Sequence, residues 1–140
     1  MDRMNSKLYL HDEHWNLMRL DILDRMSEEA CGIVAGIEET SCAVFPVTNI
    51  LHSAVRFRMA PEEQLDVFNQ IEDQDLQLLA IYHSHLKGPD RPSPIDIAEA
   101  YYPELINLIW SNITGEWNCR GFLIDEGQVT PVPVARLEKE

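Results

Sequence analysis

Positive charge is scarce in this chain: 11 Lys and Arg stand against 24 Asp and Glu, a formal net charge of −13 over 140 residues. Gripping a phosphate backbone takes clustered Lys and Arg, and the densest basic spot is Arg56 with Arg58. No nucleic-acid partner is therefore expected, and the acidity reads as a self-repelling, soluble surface. Cysteine is sparse as well. Cys31, Cys42 and Cys119 are odd in number and far apart, which excludes a disulfide framework and a Cys-x-x-Cys zinc site. Buried, reduced thiols are the expectation. No apolar run approaches the ~18 residues of a membrane-spanning helix. Met1–Leu10 has no apolar core of signal-peptide length. A cytoplasmic protein without a membrane partner is expected. Repeats, low-complexity tracts and linkers are missing too, so residues 1–140 read as one domain, at a length where a single core suffices.

What is present is a succession of short periodic segments. Lys7–Leu10 fits a short strand. From Asp12 to Met26 the apolar residues Trp15, Leu17, Met18, Ile22, Leu23 and Met26 recur at helical spacing, with Asp12 as N-cap. Cys31–Ile37 and Cys42–Val47 read as two paired strands joined by the turn at Glu38–Ser41. Val55–Met59 alternates apolar and basic residues and predicts a half-exposed strand. Pro61 suits the first position of a helix to about Asp73, with Leu65, Phe68 and Ile71 inward. Leu76–His83 is the clearest buried strand. A Gly- and Pro-rich loop, Leu86–Pro92, leads to a helix from Ser93 to about Tyr101. Leu105–Trp110, Trp117–Ile124 and Gln128–Val134 predict three closing strands, the last two joined by a hairpin turn at Asp125–Gly127. Trp110, Trp117 and Phe122 read as core. The order suggests an α+β fold, an α-β-α sandwich around a curved mixed sheet.

The chemically informative segment is HSHLKGPDRPSPID, His83 to Asp96. Alternate residues of a strand share a face, so His83 and His85 project together while Ser84 points away. Two imidazoles and a carboxylate, with the fourth position left to water, make a catalytic zinc arrangement. Asp96 can supply the carboxylate from the first turn of the next helix, where the helix dipole favours an ionised group. Ser93, Pro94 and Asp96 also match a capping box. Both roles fit together if Ser93 caps through its backbone while its hydroxyl faces the metal.

Beside these residues the chain resembles the JAMM, or MPN-plus, metallopeptidases, in particular their compact prokaryotic branch. In that family a His-x-His pair is followed by seven residues, a Ser, two residues and an Asp. Here His83 and His85 are followed by LKGPDRP, Ser93, PI and Asp96. The family's Glu-x-Cys-Gly context is matched by EACGIVAG, with Glu29, Cys31, Gly32 and Gly36. The resemblance covers roughly Leu8 to Val134 and implies a cytidine-deaminase-like JAMM fold. It implies one Zn2+ per chain on His83, His85 and Asp96, Glu29 as general base, and Ser93 as the donor to the developing oxyanion. The implied activity is hydrolysis of an amide or isopeptide bond at the C-terminal tail of a ubiquitin-like or β-grasp sulfur-carrier protein, and the resemblance leaves room for a homodimer. Glu28 reads as a solvated residue at a helix end, Cys31 as core packing, and His11, His14 and His52 as surface or structural residues. Leu86 replaces a common Pro after the second His, and Ser27 another Pro two before the Glu, which bears on the substrate groove. Segment IAEAYYPELINLIW leaves no room for the long second insertion of eukaryotic deubiquitinases. Two alternatives stand beside this reading: a non-catalytic MPN scaffold, whose known members lack ligands that this chain has, and a RadC-like metal-binding protein, disfavoured by the acidity.

Overall fold

The computed structural model describes residues 6–138. In chain order, these form β1 (Leu8–His11), α1 (Asp12–Asp24), β2 (Cys31–Ile37), β3 (Thr40–Val47), α2 (Pro61–Asp73) and β4 (Gln77–Ser84). There follow α3 (Pro94–Ala98), β5 (Ile106–Ser111), β6 (Asn118–Asp125), β7 (Gln128–Val132) and β8 (Val134–Leu137). The strands make one mixed sheet in the order β7-β6-β5-β4-β2-β3-β1-β8. The β4–β5, β1–β3 and β1–β8 pairs are parallel and the rest antiparallel. A parallel neighbour demands a crossover. The chain leaving β4 must therefore cross the sheet before β5, and that crossover carries α3.

Successive side chains of β2 point to opposite faces and serve two cores. Val34, with Ala30 just before the strand, joins Leu8, Leu10, Tyr82, Trp110 and the α1 residues Met18 and Ile22. Cys31, Ile33 and Ala35 join Val47, Met59 and the α2 residues Val67 and Ile71. A helix thus covers each face, as the sandwich expectation requires. β7 and β8 occupy opposite ends of the strand order, yet only Pro133 separates them. The sheet must curl until its ends approach. Gly121 of β6 marks the place: a Cβ there would lie 2.8 Å from Val134 and 3.2 Å from the Val132 carbonyl.

Several expected elements differ. Val55–Met59 is not a strand but a loop, with one isolated bridge between Asn49 and Met59. Gln128–Val134 is two strands, because Pro133 lacks the N–H that a continuous ladder needs. Asp12 is the first helical residue, and His11 holds the N-cap position. α3 stops at Ala98 rather than near Tyr101. Leu17, Leu23 and Met26 face outward, and His14 takes an inward place beside Met18 and Ile22. In α2 it is Val67 and Ile71 that are buried, while Leu65 is exposed. Cys31 and Cys119 are buried thiols, pushed up to about 12 by burial, but Cys42 faces outward. Trp110, Trp117 and Phe122 are core as expected. The turn after β6 is a tight hairpin with positive φ at Glu126 and Gly127, 50° and 80°.

Candidate metal centre

β4 lies mid-sheet and delivers His83 near its end, opposite Cys31 of β2. Continuing that antiparallel register sets Ala30 against Ser84 and Glu29 against His85. The backbone follows it: Ser84 N donates to Ala30 O at 3.0 Å. Ser84 does point away from the two imidazoles, and its buried Oγ accepts from Ala30 N at 2.9 Å. It therefore clamps the residue next to Glu29. His85 lies just past the strand, where its N–H donates to Trp110 O at 2.8 Å.

The crossover then returns Asp96 to the pair. Asp96 is the third residue of α3 and closes a reciprocal cap: its N–H donates to Ser93 Oγ at 3.1 Å, and Ser93 N–H donates to Asp96 Oδ2 at 2.9 Å. The Ser93 hydroxyl oxygen is thus itself the cap, contrary to the expectation of a backbone-only cap. Its O–H proton remains to be donated.

His83 Nε2 lies 3.2 Å from Asp96 Oδ1 and 3.1 Å from His85 Nε2, and His85 Nε2 lies 3.0 Å from Asp96 Oδ2. The three residues bring donor atoms within 4.8 Å of one another, the one such cluster among the described residues. Both imidazoles are buried. His85 Nδ1 lies 2.7 Å from Pro89 O. A carbonyl can only accept, so Nδ1 carries the proton and Nε2 turns its lone pair inward. Gly88 allows this packing, since a Cβ there would sit 3.1 Å from the His85 Cβ.

The electrostatics agree. Burial works to raise the Asp96 carboxyl, but hydrogen bonds with His83 and His85 prevail and hold it well below the usual carboxylate range. Burial holds the His83 imidazole below its ordinary value. Burial works to lower His85 too, yet Asp96 and the Pro89 carbonyl carry it above its ordinary value. With the Nε2 lone pair of His85 turned inward beside the Asp96 carboxylate, a divalent cation among the three residues would meet donor atoms of the right kind. A buried set of two imidazoles and one carboxylate fits such an ion.

Glu29 is 5% exposed, and its Oε1 is buried without a hydrogen-bond partner among the described residues. Burial pushes the carboxyl up to about 8, with His85 pulling it down and Asp96 adding to the rise. Glu28 is not simply solvated: it is half-buried and pairs with the exposed His52 at 3.0 Å. His11 is exposed, and His14 is a buried structural residue 2.6 Å from Ser41 Oγ. Cys31 donates its thiol to Val47 O and packs in the core.

Three contributors escaped the sequence reading. Phe57 stacks on His83 with ring centroids 4.5 Å apart. Asn49, fully buried, binds the Glu29 carbonyl at 3.0 Å. Arg56 pairs with Glu99 at 2.6 Å, tying the 49–60 loop to the end of α3. Only the Thr48–Asn49 pair after an apolar strand hinted at a buried polar anchor. A cavity of about 230 Å³ opens beside His83 and Asp96, walled by Phe57, Met59, Ile95 and Tyr101. Leu86, where the related pattern commonly has a Pro, packs partly buried against the core that holds Tyr82 and Trp110.

Comparison with known proteins gives a consistent picture. The family described as prokaryotic homologs of the JAB domain matches residues 11–122. A desampylase of Pyrococcus furiosus is 34% identical over 85 residues, 61% of this chain and 61% of its own length. A probable TtuB-protein conjugate cleaving protease of Thermus thermophilus is 38% identical over 111 residues, 79% of this chain and 71% of its own. A CysO-cysteine peptidase of Mycobacterium tuberculosis is 33% identical over 115 residues, 80% of this chain and 79% of its own. Among solved structures, a protein from Desulfitobacterium hafniense superposes with a TM-score of 0.84 at 28% identity, covering 94% of both chains.

Proposed function

Because the chain belongs to the prokaryotic homologs of the JAB domain, we propose that it is a zinc-dependent hydrolase that cleaves an amide or isopeptide bond after the C-terminal tail of a ubiquitin-like or β-grasp sulfur-carrier protein. The observation that carries this reading is the convergence of donor atoms of His83, His85 and Asp96 within 4.8 Å, together with a buried Glu29 whose Oε1 has no hydrogen-bond partner among the described residues. Zinc suits two imidazoles and one carboxylate, and when bound it acidifies water and polarises a carbonyl. Glu29 accepts a proton from the attacking water. The water oxygen adds to the tail carbonyl, the C–N bond breaks, and Glu29 returns the proton to the leaving nitrogen. The Ser93 hydroxyl donates to the oxygen on which charge develops. Pro89 fixes the tautomer of His85 throughout. The names of the relatives, a desampylase, a conjugate cleaving protease and a CysO-cysteine peptidase, support the substrate class.

A carrier tail that reaches buried groups must be thin, and glycine lets backbone approach closely. The test offers linear fusions of a Gly-Gly-terminated β-grasp protein beside matched fusions with the glycines replaced by bulky residues. Cleavage after Gly-Gly only, with about one zinc per chain by elemental analysis, is expected. Equal cleavage of both fusions rejects the carrier tail. Full zinc content in the His83→Ala, His85→Ala double variant rejects the metal assignment.

A further inference from the structure

Asn49 is an uncharged side chain, outside every motif of the site, that is nevertheless fully buried. Its amide uses its whole hydrogen-bonding capacity. Nδ2 donates to Glu29 O at 3.0 Å and to Arg56 O at 3.1 Å. Oδ1 accepts from Leu51 N and from Arg58 N, both at 3.1 Å. The reverse orientation would set an NH2 group against two N–H donors, so the pattern fixes the amide's sense.

The four partners belong to two functional pieces. Glu29 is one: its carbonyl is held by Asn49, its N–H donates to Ser53 O at 2.8 Å, and the following Ala30 is clamped by Ser84. Both backbone groups of Glu29 therefore depend on the 49–58 loop. The other piece is Phe57. Arg56 O and Arg58 N straddle it, so the same amide sets the ring that stacks on His83. No other residue supplies this combination. Asp offers no donor, Gln is one methylene too long, and Ser has a single donor.

We propose that Asn49 is a positioning residue for hydrolysis, one amide that sets the Glu29 base and the Phe57 ring in mutual register around the metal ligands. This rests on Glu29 being the base. Asn49 touches none of His83, His85 and Asp96, so its effect falls on catalysis and not on metal binding.

The test compares Asn49→Asp, Glu29→Gln and the double variant, each as the zinc-loaded full chain cleaving the Gly-Gly fusion. Asn49→Asp keeps the two acceptor contacts and loses both donations. Expected are wild-type zinc content, kcat lower by about 10- to 100-fold, as misplacing a reacting group by ~1 Å does, and KM within about threefold. In the Glu29→Gln background, Asn49→Asp should add little, since the base it positions is gone. A kcat within twofold of wild type overturns the proposal, as does a full, independent loss in the Glu29→Gln background. Should Asn49→Asp fail to fold, Asn49→Ser, which keeps one donor, goes through the same cycle. Misfolding of both makes Asn49 merely structural and likewise overturns it. A fully active Glu29→Gln variant would instead overturn the assignment of the base.

Discussion

Two adjacent carboxylates, Glu28 and Glu29, differ in what surrounds them. Glu28 has a hydrogen-bonded cation-capable partner in His52, whereas Glu29 is buried with its Oε1 unpartnered among the described residues. Burial that raises the Glu29 carboxyl makes its ionised form a stronger proton acceptor than an ordinary carboxylate, so Glu29 is the group to remove. Glu29→Gln should retain zinc and fold yet lose ~10²–10⁴-fold in turnover, measured as initial cleavage of the Gly-Gly fusion. An inactive Glu28→Gln beside an active Glu29→Gln would reverse the assignment. The clustering of the proposed ligand residues was legible because their placement is local: the alternation of β4, carried one residue past its end, aligns His83 with His85, and a capping box orients Asp96. Asn49 and Ser84 were not, because their bonds reach over 20 and 54 residues to the Glu29–Ala30 segment. Ser84 even lies inside the motif, but only the β2–β4 register reveals what its hydroxyl holds. The motif's Gly32 is explained by the same register, since a Cβ there would lie 2.3 Å from the Tyr82 ring.

At the scale of elements, strands read from apolar runs held where both faces are covered, as in β2 and β4. Val55–Met59 failed because alternation between apolar and basic residues looks the same in a strand and in a loop anchored by one buried amide. The inner face of α1 was not singled out for a related reason. The helix is apolar on both sides, so periodicity did not reveal that His14 belongs inside. That histidine is expected to make the stability of the α1–β3 contact pH-dependent. Burial lowers its pKa, against a smaller opposing pull from Glu13, and Nδ1 sits 2.6 Å from Ser41 Oγ on β3. The neutral ring is the one that fits. Its stabilising contribution is complete above the unfolded value of ~6.5 and is lost as pH falls from there through the lower folded value. Between about pH 7 and 5 the urea midpoint of wild type should therefore lose ground relative to that of His14→Gln, in which the other titrating groups are unchanged. Parallel profiles for the two proteins would show that His14 does not titrate on unfolding.

For the molecule as a whole, the two cores and the metal centre are mechanically distinct. The cores are built from β1 through β7 and the inner faces of α1 and α2. α3 has no buried residue and only five residues in its helix. It is held by its cap, by the Arg56–Glu99 pair and by the contacts of Asp96 with His83 and His85, where the proposed ion would bind. Exposed ion pairs stabilise little, so the ties between α3 and the end of β4 run through Asp96 and its buried contacts with His83 and His85, and the ion proposed to join the three would be the strongest of them. Removing it should free the crossover without dissolving the sheet. After chelation, hydrogen exchange should accelerate across residues 93–100 while the amides of β2, β4 and β5 keep their protection, because local opening does not require the cores to part. The melting temperature should fall as well, and should rise again with added zinc according to its free concentration. Uniform loss of protection through β2, β4 and β5 on chelation would mean that the ion supports the whole fold, and that the cores alone are insufficient to hold it.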